Sequence, residues 1–463
     1  MYKRITDQVI KQINPQLFVE RALRVEKNKL YVGVREYELD GNVSVIGFGK
    51  AALDMFIPIK RKLGRHIKRS YFSIPESSHV TMTTNSNTID TSSNSSEVVA
   101  RAARNNLPDE NTLAITGDII KYSESLSEGD LCICLISGGG SALLCDPVVP
   151  LPDMIDTIKL LTSHSATIQQ LNTVRTYLCK VKGGGLARFI SPATILSLII
   201  SDVIGDPINF IASGPTLPTK VTRDDVIRTL AELSVTPTQL PQSVQGLLHC
   251  EHSSVATCGN DIYNLIIASN KVALDIASRV SESEGYSPFI ITDTLDGEAR
   301  DVARELMECV AIPSEDKKYE HISPETGGKI RSALSSKHNN SGKRCLIFGG
   351  ETTVTVQGEG LGGRCQEMAL AAALILGQVD TSYKITFLAT STDGQDGPTD
   401  ASGAVITQNT ACQALQQGLD MGVFLEESDS YRFFRLLNGG DNQLKSGLTG
   451  TNLMDIIFIF IDL

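Results

Sequence analysis

Short runs of β-branched or apolar residues recur along the chain, and each ends in a turn rich in glycine, serine or aspartate that leads into a helical pattern of apolar positions. NVSVIGFGKAALDMF and DLCICLISGGGSALL carry the pattern most clearly. It returns in ILSLIISDVIGD, PFIITDTLDGEARDVARELM, RCLIFGGETTVTV and KITFLATSTDGQDG, and less regularly in GLTGTNLMDIIFIFI. These seven units predict an α/β protein. In open α/β sheets ligands sit beyond the carboxyl ends of the strands, so the polar residues after each run are the first candidates for chemistry. The opening stretch, MYKRITDQVIKQINPQLFVERAL, predicts an amphipathic first helix. The polar stretch 77–97 lacks apolar periodicity and predicts a surface loop without chemistry. LSVTPTQLPQSVQ and ISPETGGKIRSALSSKHNNSGKR bracket a region with its own strand and helix signals, which places a domain boundary near residue 240. The predicted domains are 1–240 and 241–463.

Composition narrows the function classes. With 463 residues, 41% of them hydrophobic and 21% charged, the chain has the make-up of a globular protein of two or three domains and carries no apolar run long enough to span a bilayer. A formal charge of −11 argues against a general nucleic-acid binder or an anionic membrane as partner, while leaving room for a local basic pocket. Ten cysteines without a CxxC pair predict reduced intracellular thiols. The first residues lack an apolar signal region, so the expected compartment is the cytosol, with a mitochondrial presequence from another start site as the alternative.

Several motifs carry chemistry. Gly47-Phe48-Gly49-Lys50-Ala51-Ala52 fits the dinucleotide-binding GxGxxA pattern, but the first acid of the next strand, Glu76, lies too far on for a ribose contact. Lys50 before a helix instead suits a phosphate or carboxylate. Three glycines and a serine, Gly138, Gly139, Gly140 and Ser141, follow a buried-looking strand and allow backbone N–H groups to approach a ligand. They form neither a Walker loop nor a GxSxG elbow. Arg175 and Lys182, with Asn172 and Lys180 nearby, precede a second glycine triplet and could contact phosphate, although basic residues before glycine also end ordinary helices. Asp202 and Asp206 close a strand four residues apart, a pair able to hold Mg²⁺ or accept a hydroxyl proton, while Asp206 could equally cap a helix. Further on, Glu351 precedes a glycine-rich loop ending in Arg364, and Asp393 opens DGQDGPTD. None of the seven histidines falls in these turns, which speaks against Ser-His hydrolysis. The cluster His249, Cys250, Glu251, His252 and Cys258 has no zinc-finger spacing.

Taken in order, VIGFGKA, LISGGGSALL, LNTVRTYLCKVKGGGLA, LIISDVIGDPINFIASGPT, GEARDVA, GGETTVTVQGEGLGGRCQEMALAAA, TSTDGQDGPTDASGA and GLTGTNLMD resemble the class II glycerate kinases, which end in the MOFRL domain. ARAARNNLPDENTL looks like the animal branch of that family. The resemblance implies two α/β domains, a larger Rossmann-like N-terminal one and a smaller C-terminal MOFRL domain, with the active site in the cleft between them. It implies ATP as phosphoryl donor, Mg²⁺, and D-glycerate as acceptor, with 2-phosphoglycerate the favoured product and 3-phosphoglycerate the alternative. It leaves a homodimer open. The family's lysine falls on Lys50, its SDVxGD aspartate on Asp202 and its GGR arginine on Arg364. One departure is GGRCQE where the family has GGRNQE, so that Cys365 replaces an asparagine.

Phosphoryl transfer needs positioning and charge neutralisation more than covalent help. In this reading Lys50, Asp202 and Arg364 are catalytic, with Asp202 orienting or deprotonating the acceptor. Gly138–Ser141, Arg175, Lys182, Glu351 and Asp393 hold the nucleotide, and Asp206 holds metal. Rival readings are an NAD(P)H-dependent hydroxypyruvate reductase, prompted by Gly47–Ala52, and a non-catalytic sugar-acid or nucleotide sensor.

Overall fold

The computed structural model describes residues 2–76, 96–250, 253–255, 259–313, 317–336, 342–381 and 383–462. Most of the polar stretch 77–97 and part of the histidine and cysteine cluster lie outside the described residues. The chain divides into two compact α/β units, Pro15–Ile267 and a second formed by Met1–Asn14 with Ala268–Leu463.

The first unit is built on a six-stranded sheet. Its strands are β1 (Val43–Phe48), β2 (Ile67–Pro75), β3 (Glu97–Ala102), β4 (Leu131–Ile136), β5 (Thr194–Ile200) and β6 (Ile262–Ala268). Their order is β3-β2-β1-β4-β5-β6, and the pairings from β3 to β5 are parallel. This is the order of a doubly wound, Rossmann-type sheet, in which winding reverses between β1 and β4. Residues of β1 and β4 are buried on both faces, which is why their sequences read as continuous apolar runs rather than alternating ones. Helix α1 (Ala52–Leu63) follows β1, and α2 (Ile168–Tyr177), capped by Thr167, lies between β4 and β5.

In the second unit the sheet is mixed. Strands β7 (Ser287–Leu295), β8 (Lys343–Gly350), β9 (Lys384–Ser391), β10 (Gly403–Thr407), β11 (Gln443–Leu444) and β12 (Asp455–Asp462) take the order β7-β8-β12-β9-β10-β11. Only β7 and β8 pair in parallel; β12 runs antiparallel to both β8 and β9. All seven expected strands are present, but DIIFIFI follows its glycine-rich turn instead of leading into one. Helix α3 (Ala299–Ala311) and the apolar α4 (Arg364–Leu376) pack together in the core of this unit.

The division at residue 267 differs from the boundary expected near 240. Thr236–Leu240 is a capped turn inside the first unit, and the helix Gln242–His249 that follows buries Val244 and Leu248 in its core. A Pro- and Thr-rich composition marks a loop there, not a junction. The amphipathic helix Tyr2–Gln12 forms as expected, but it packs in the second unit, where Arg4 pairs with Glu284 and the ring of Tyr2 meets that of Phe460 at 4.8 Å. The segment around Ile322–Arg344 contains a helix, Pro324–Ser335, with Ile330 and Ala333 buried.

Candidate active site

At the reversal point of the first sheet, the turns after β1 and β4 lie against each other. Lys50 N–H donates to Gly138 O at 2.9 Å, and Ala51 N–H to Ser137 Oγ at 3.0 Å. Gly49 has a φ of +124°, and a Cβ there would sit 2.3 Å from Ser137 Oγ. Its glycine is demanded by the neighbouring turn, which explains a GxGxxA pattern that needs no dinucleotide. A Cβ on Gly138 would lie 2.2 Å from Asp202 Oδ2, so the Asp202 carboxyl covers this turn from the end of β5.

Gly139 is left-handed, with a φ of +80°. Among the described residues the N–H groups of Gly138 and Gly139 meet no acceptor, and successive N–H groups in such a turn form an anion-binding concavity. Ser141 Oγ lies 2.9 Å from Ser213 Oγ, which donates to Asn172 Oδ1 at 3.0 Å. The buried Asn172 amide nitrogen has no partner among the described residues.

These turns open on a pocket of about 280 Å³. Lys50, Gly139, Ser141, Arg175 and Lys182 line its polar side, and Met154, Ile155 and Ile158 belong to its apolar wall. The half-buried guanidinium of Arg175 has no hydrogen-bond or ion-pair partner among the described residues, and burial pulls its proton affinity down. Such a cation is held ready for an anion. Lys182 differs: it is buried, and its ammonium donates to the carbonyls of Ser141 at 2.6 Å and Leu144 at 3.2 Å. It therefore braces the turn from below. Burial raises the carboxyl of Asp202 above the ordinary range, and Lys50 works in the opposite direction. Asp206 lies in a turn, with its N–H on Val203 O at 3.1 Å and a φ of +56°, and caps no helix.

In the second unit, strand register gathers the other candidates. Asp455 stands opposite Gly350 on one side and Ser391 on the other, next to Glu351 and near Asp393. Arg364, the first residue of α4, donates from Nε and Nη2 to Asp455 at 2.5 and 3.0 Å and pairs through Nη1 with Glu351 at 2.9 Å. Burial opposes its charge, but Asp455 and Glu351 raise its proton affinity overall. Asp396 caps α4 from outside, accepting from the N–H groups of Cys365 and Gln366 and from the Gln366 amide. Burial pushes its carboxyl up to about 6. Cys365 is fully buried beside Asp455 and Asp396. The glycine-rich loop lies flat on residues 427–430: Cβ atoms on Gly358, Gly360 and Gly362 would strike Glu427, Asp429 and Ser430. Asp393 accepts from Ser391 Oγ and Gln395 N–H.

Thus the structure brings Lys50, Gly138–Ser141, Arg175, Lys182 and Asp202 together in one unit, and Arg364, Glu351 and Asp393 together in the other. Sequence reasoning assigned no role to Asp455 or the apolar wall, and named Asn172 and Asp396 only as members of their motifs. Asp455 had a legible signal, an acid opening an otherwise apolar strand; Met154, Ile155 and Ile158 had none, being ordinary apolar positions of a helix.

A doubly wound sheet with an anion-seeking glycine turn and cations at its reversal point defines an α/β enzyme that handles phosphorylated or carboxylated small molecules. The profile described as "Domain of unknown function (DUF4147)" matches residues 1–249, and that of the MOFRL family matches 344–455. Glycerate kinase of Danio rerio is 36% identical over 474 residues, covering 96% of this chain and 94% of its own. Glycerate 2-kinase of Pyrococcus horikoshii is 32% identical over 481 residues, covering 99% and 96%. The crystal structure of glycerate kinase from Thermotoga maritima is 28% identical, with a TM-score of 0.78 and 99% of both chains covered. The chain belongs to the glycerate kinase family, whose members are phosphotransferases. Kinase chemistry brings a nucleotide and a small-molecule substrate with it.

Proposed function

We propose that the chain transfers the γ-phosphoryl group of ATP to D-glycerate. The observation that carries this reading is the pocket at the reversal point beside Lys50, where the guanidinium of Arg175 and two N–H groups have no hydrogen-bond or ion-pair partner among the described residues. Gly138–Ser141 and Arg175 hold the ATP phosphates, and Lys182 keeps the turn in shape. Lys50 neutralises phosphoryl or carboxylate charge at this pocket, and Arg364 is the catalytic candidate of the second unit. Asp202, with its carboxyl raised toward the working pH, orients or deprotonates the acceptor hydroxyl. Glu351 and Asp393 contact nucleotide or substrate. Among the described residues no three acidic, histidine or cysteine side chains cluster as a metal cage, which suits Mg²⁺ carried by phosphates and water with help from one carboxylate, here Asp206. When bound, the ion shields phosphate charge.

The 2-hydroxyl is the favoured acceptor, supported by the activity in the name of the Pyrococcus relative. The test is a ³¹P NMR time course with Mg-ATP and D-glycerate. A 2-phosphoglycerate signal is the expected result; 3-phosphoglycerate would shift the acceptor, and unchanged ATP with folded protein would overturn the kinase reading. Oxidation of NADH by hydroxypyruvate without ATP would favour a reductase. Reduced thiols fit a cytosolic protein, and light scattering on the same sample decides whether it is a homodimer.

A further inference from the structure

Two thiols meet where the cation-bearing segments of the pocket are tied together. Residues 145–148 run beside 178–180: Val148 N–H donates to Leu178 O and Lys180 N–H to Asp146 O, each at 2.9 Å, and the Lys180 ammonium pairs with Asp146 at 3.0 Å. This ribbon joins the chain leaving the Gly138–Ser141 turn to the chain leaving α2, between Arg175 and Lys182. On it the sulfurs of Cys145 and Cys179 lie 3.9 Å apart, both in the core.

The pair is asymmetric. Burial opposes ionisation of Cys179, yet Cys145, the Lys182 ammonium and the N–H groups of Val181 and Asp146 together bring its thiol below the ordinary range. The hydrogen bond to Cys179, together with burial, raises Cys145 instead. One nucleophilic sulfur beside one protonated partner is the arrangement of a redox-responsive pair. Access is short, because Met154, whose sulfur is 4.0 Å from that of Cys145, itself lines the pocket.

We propose that Cys145 and Cys179 form a reversible disulfide that a hydroperoxide installs and a dithiol removes, switching the pocket between working and distorted forms. The Cys179 sulfur attacks the terminal peroxide oxygen; the O–O bond breaks, and the departing alkoxide takes up the proton the thiol gave, leaving a sulfenic acid and an alcohol. The Cys145 sulfur then attacks the Cys179 sulfur; the S–S bond forms, the S–O bond breaks, and hydroxide leaves with the Cys145 proton as water. Two thiols lose two electrons and two protons, and one peroxide is reduced to alcohol and water. Closing the gap from 3.9 Å to a bond of about 2.05 Å moves the residues next to Leu144, whose carbonyl Lys182 holds. This consequence rests on the reading of the pocket as the site of phosphoryl transfer. A displacement near 1 Å in such a frame costs on the order of 10²-fold in turnover.

The experiment treats the reduced full chain with hydrogen peroxide, quenches with N-ethylmaleimide, and follows peptide masses and glycerate kinase turnover together. The expected result is a cross-link joining the Cys145 and Cys179 peptides, lighter by two hydrogen atoms, with turnover falling as it forms and returning with dithiothreitol. Cys145→Ser and Cys179→Ser, made separately, each abolish the cross-link. Both thiols remaining alkylatable after unfolding, under peroxide that oxidises the exposed Cys412, overturns the disulfide. A cross-link with turnover unchanged overturns the switch. If untreated protein turns over no glycerate, the functional reading fails, and the masses still decide the disulfide.

Discussion

Both units carry a glycine-rich loop and an arginine, but the two are set differently. In the first, among the described residues, the turn 138–141 leaves donors without acceptors and Arg175 faces a pocket without a counter-charge. In the second, the loop 358–363 is laid on residues 427–430 and Arg364 is forked onto Asp455 and Glu351. Unmatched donors are costly to keep and point to a ligand; matched ones hold the protein itself together. If Arg364 takes part in catalysis, three of its five N–H donors already serve the fold, so its contribution to substrate comes from the remaining two or from exchange with a carboxylate.

The largest expected effect comes from Asp202→Asn, which lowers kcat by ~10²–10⁴ across the pH range if the carboxylate takes the acceptor proton. Steady-state rates between pH 5 and 9 check it, and an unchanged profile would leave Asp202 as a brace for Gly138. Lys50→Ala lowers kcat by ~10²–10³ with the melting temperature kept, as expected for a charge contact that strengthens in the transition state. Near wild-type turnover would remove Lys50 from the chemistry.

For the matched arginine the weight shifts to stability. Arg364→Ala leaves the buried Asp455 without its partner and costs about 3 kcal/mol in urea unfolding of the second unit; a variant that unfolds like the parent but fails to turn over would make Arg364 a substrate contact first. Arg175→Ala, by contrast, raises KM for ATP about tenfold while leaving unfolding unchanged, since one charge-assisted contact to phosphate is lost and no protein partner is stranded. The smallest effect is a pH slope. The folded-state carboxyl of Asp396 is near 6, above its unfolded value of about 3.9. The folded protein thus binds the proton more tightly, and stability falls as pH rises from about 4 to 6 and is flat above. Asp396→Asn flattens that slope, which unfolding curves at several pH values will show.

The first sheet was legible because its central strands are buried on both faces and write themselves as apolar runs ending in glycine. Lys50, Asp202 and the Gly138–Ser141 turn followed from that punctuation. What was not legible depends on partners distant in sequence: that Arg364 meets Asp455 is a matter of β12 pairing between β8 and β9, and that Lys182 braces a turn 41 residues earlier is a matter of tertiary packing. The division at residue 267 was not legible for a related reason. Local composition showed a loop, while β6, beyond it, completes the first sheet by a long-range pairing.

The position of β12 has a consequence for biosynthesis. This strand, residues 455–462, occupies the middle of the second sheet, and the helix of residues 2–12 packs in the same unit. On the ribosome the first unit has all its strands once residue 268 has emerged, whereas the second lacks its central strand until nearly two hundred further residues are made. Its early helix must wait, and β8 and β9 expose unpaired edges meanwhile. Nascent chains stalled short of β12 are therefore the species most in need of a chaperone.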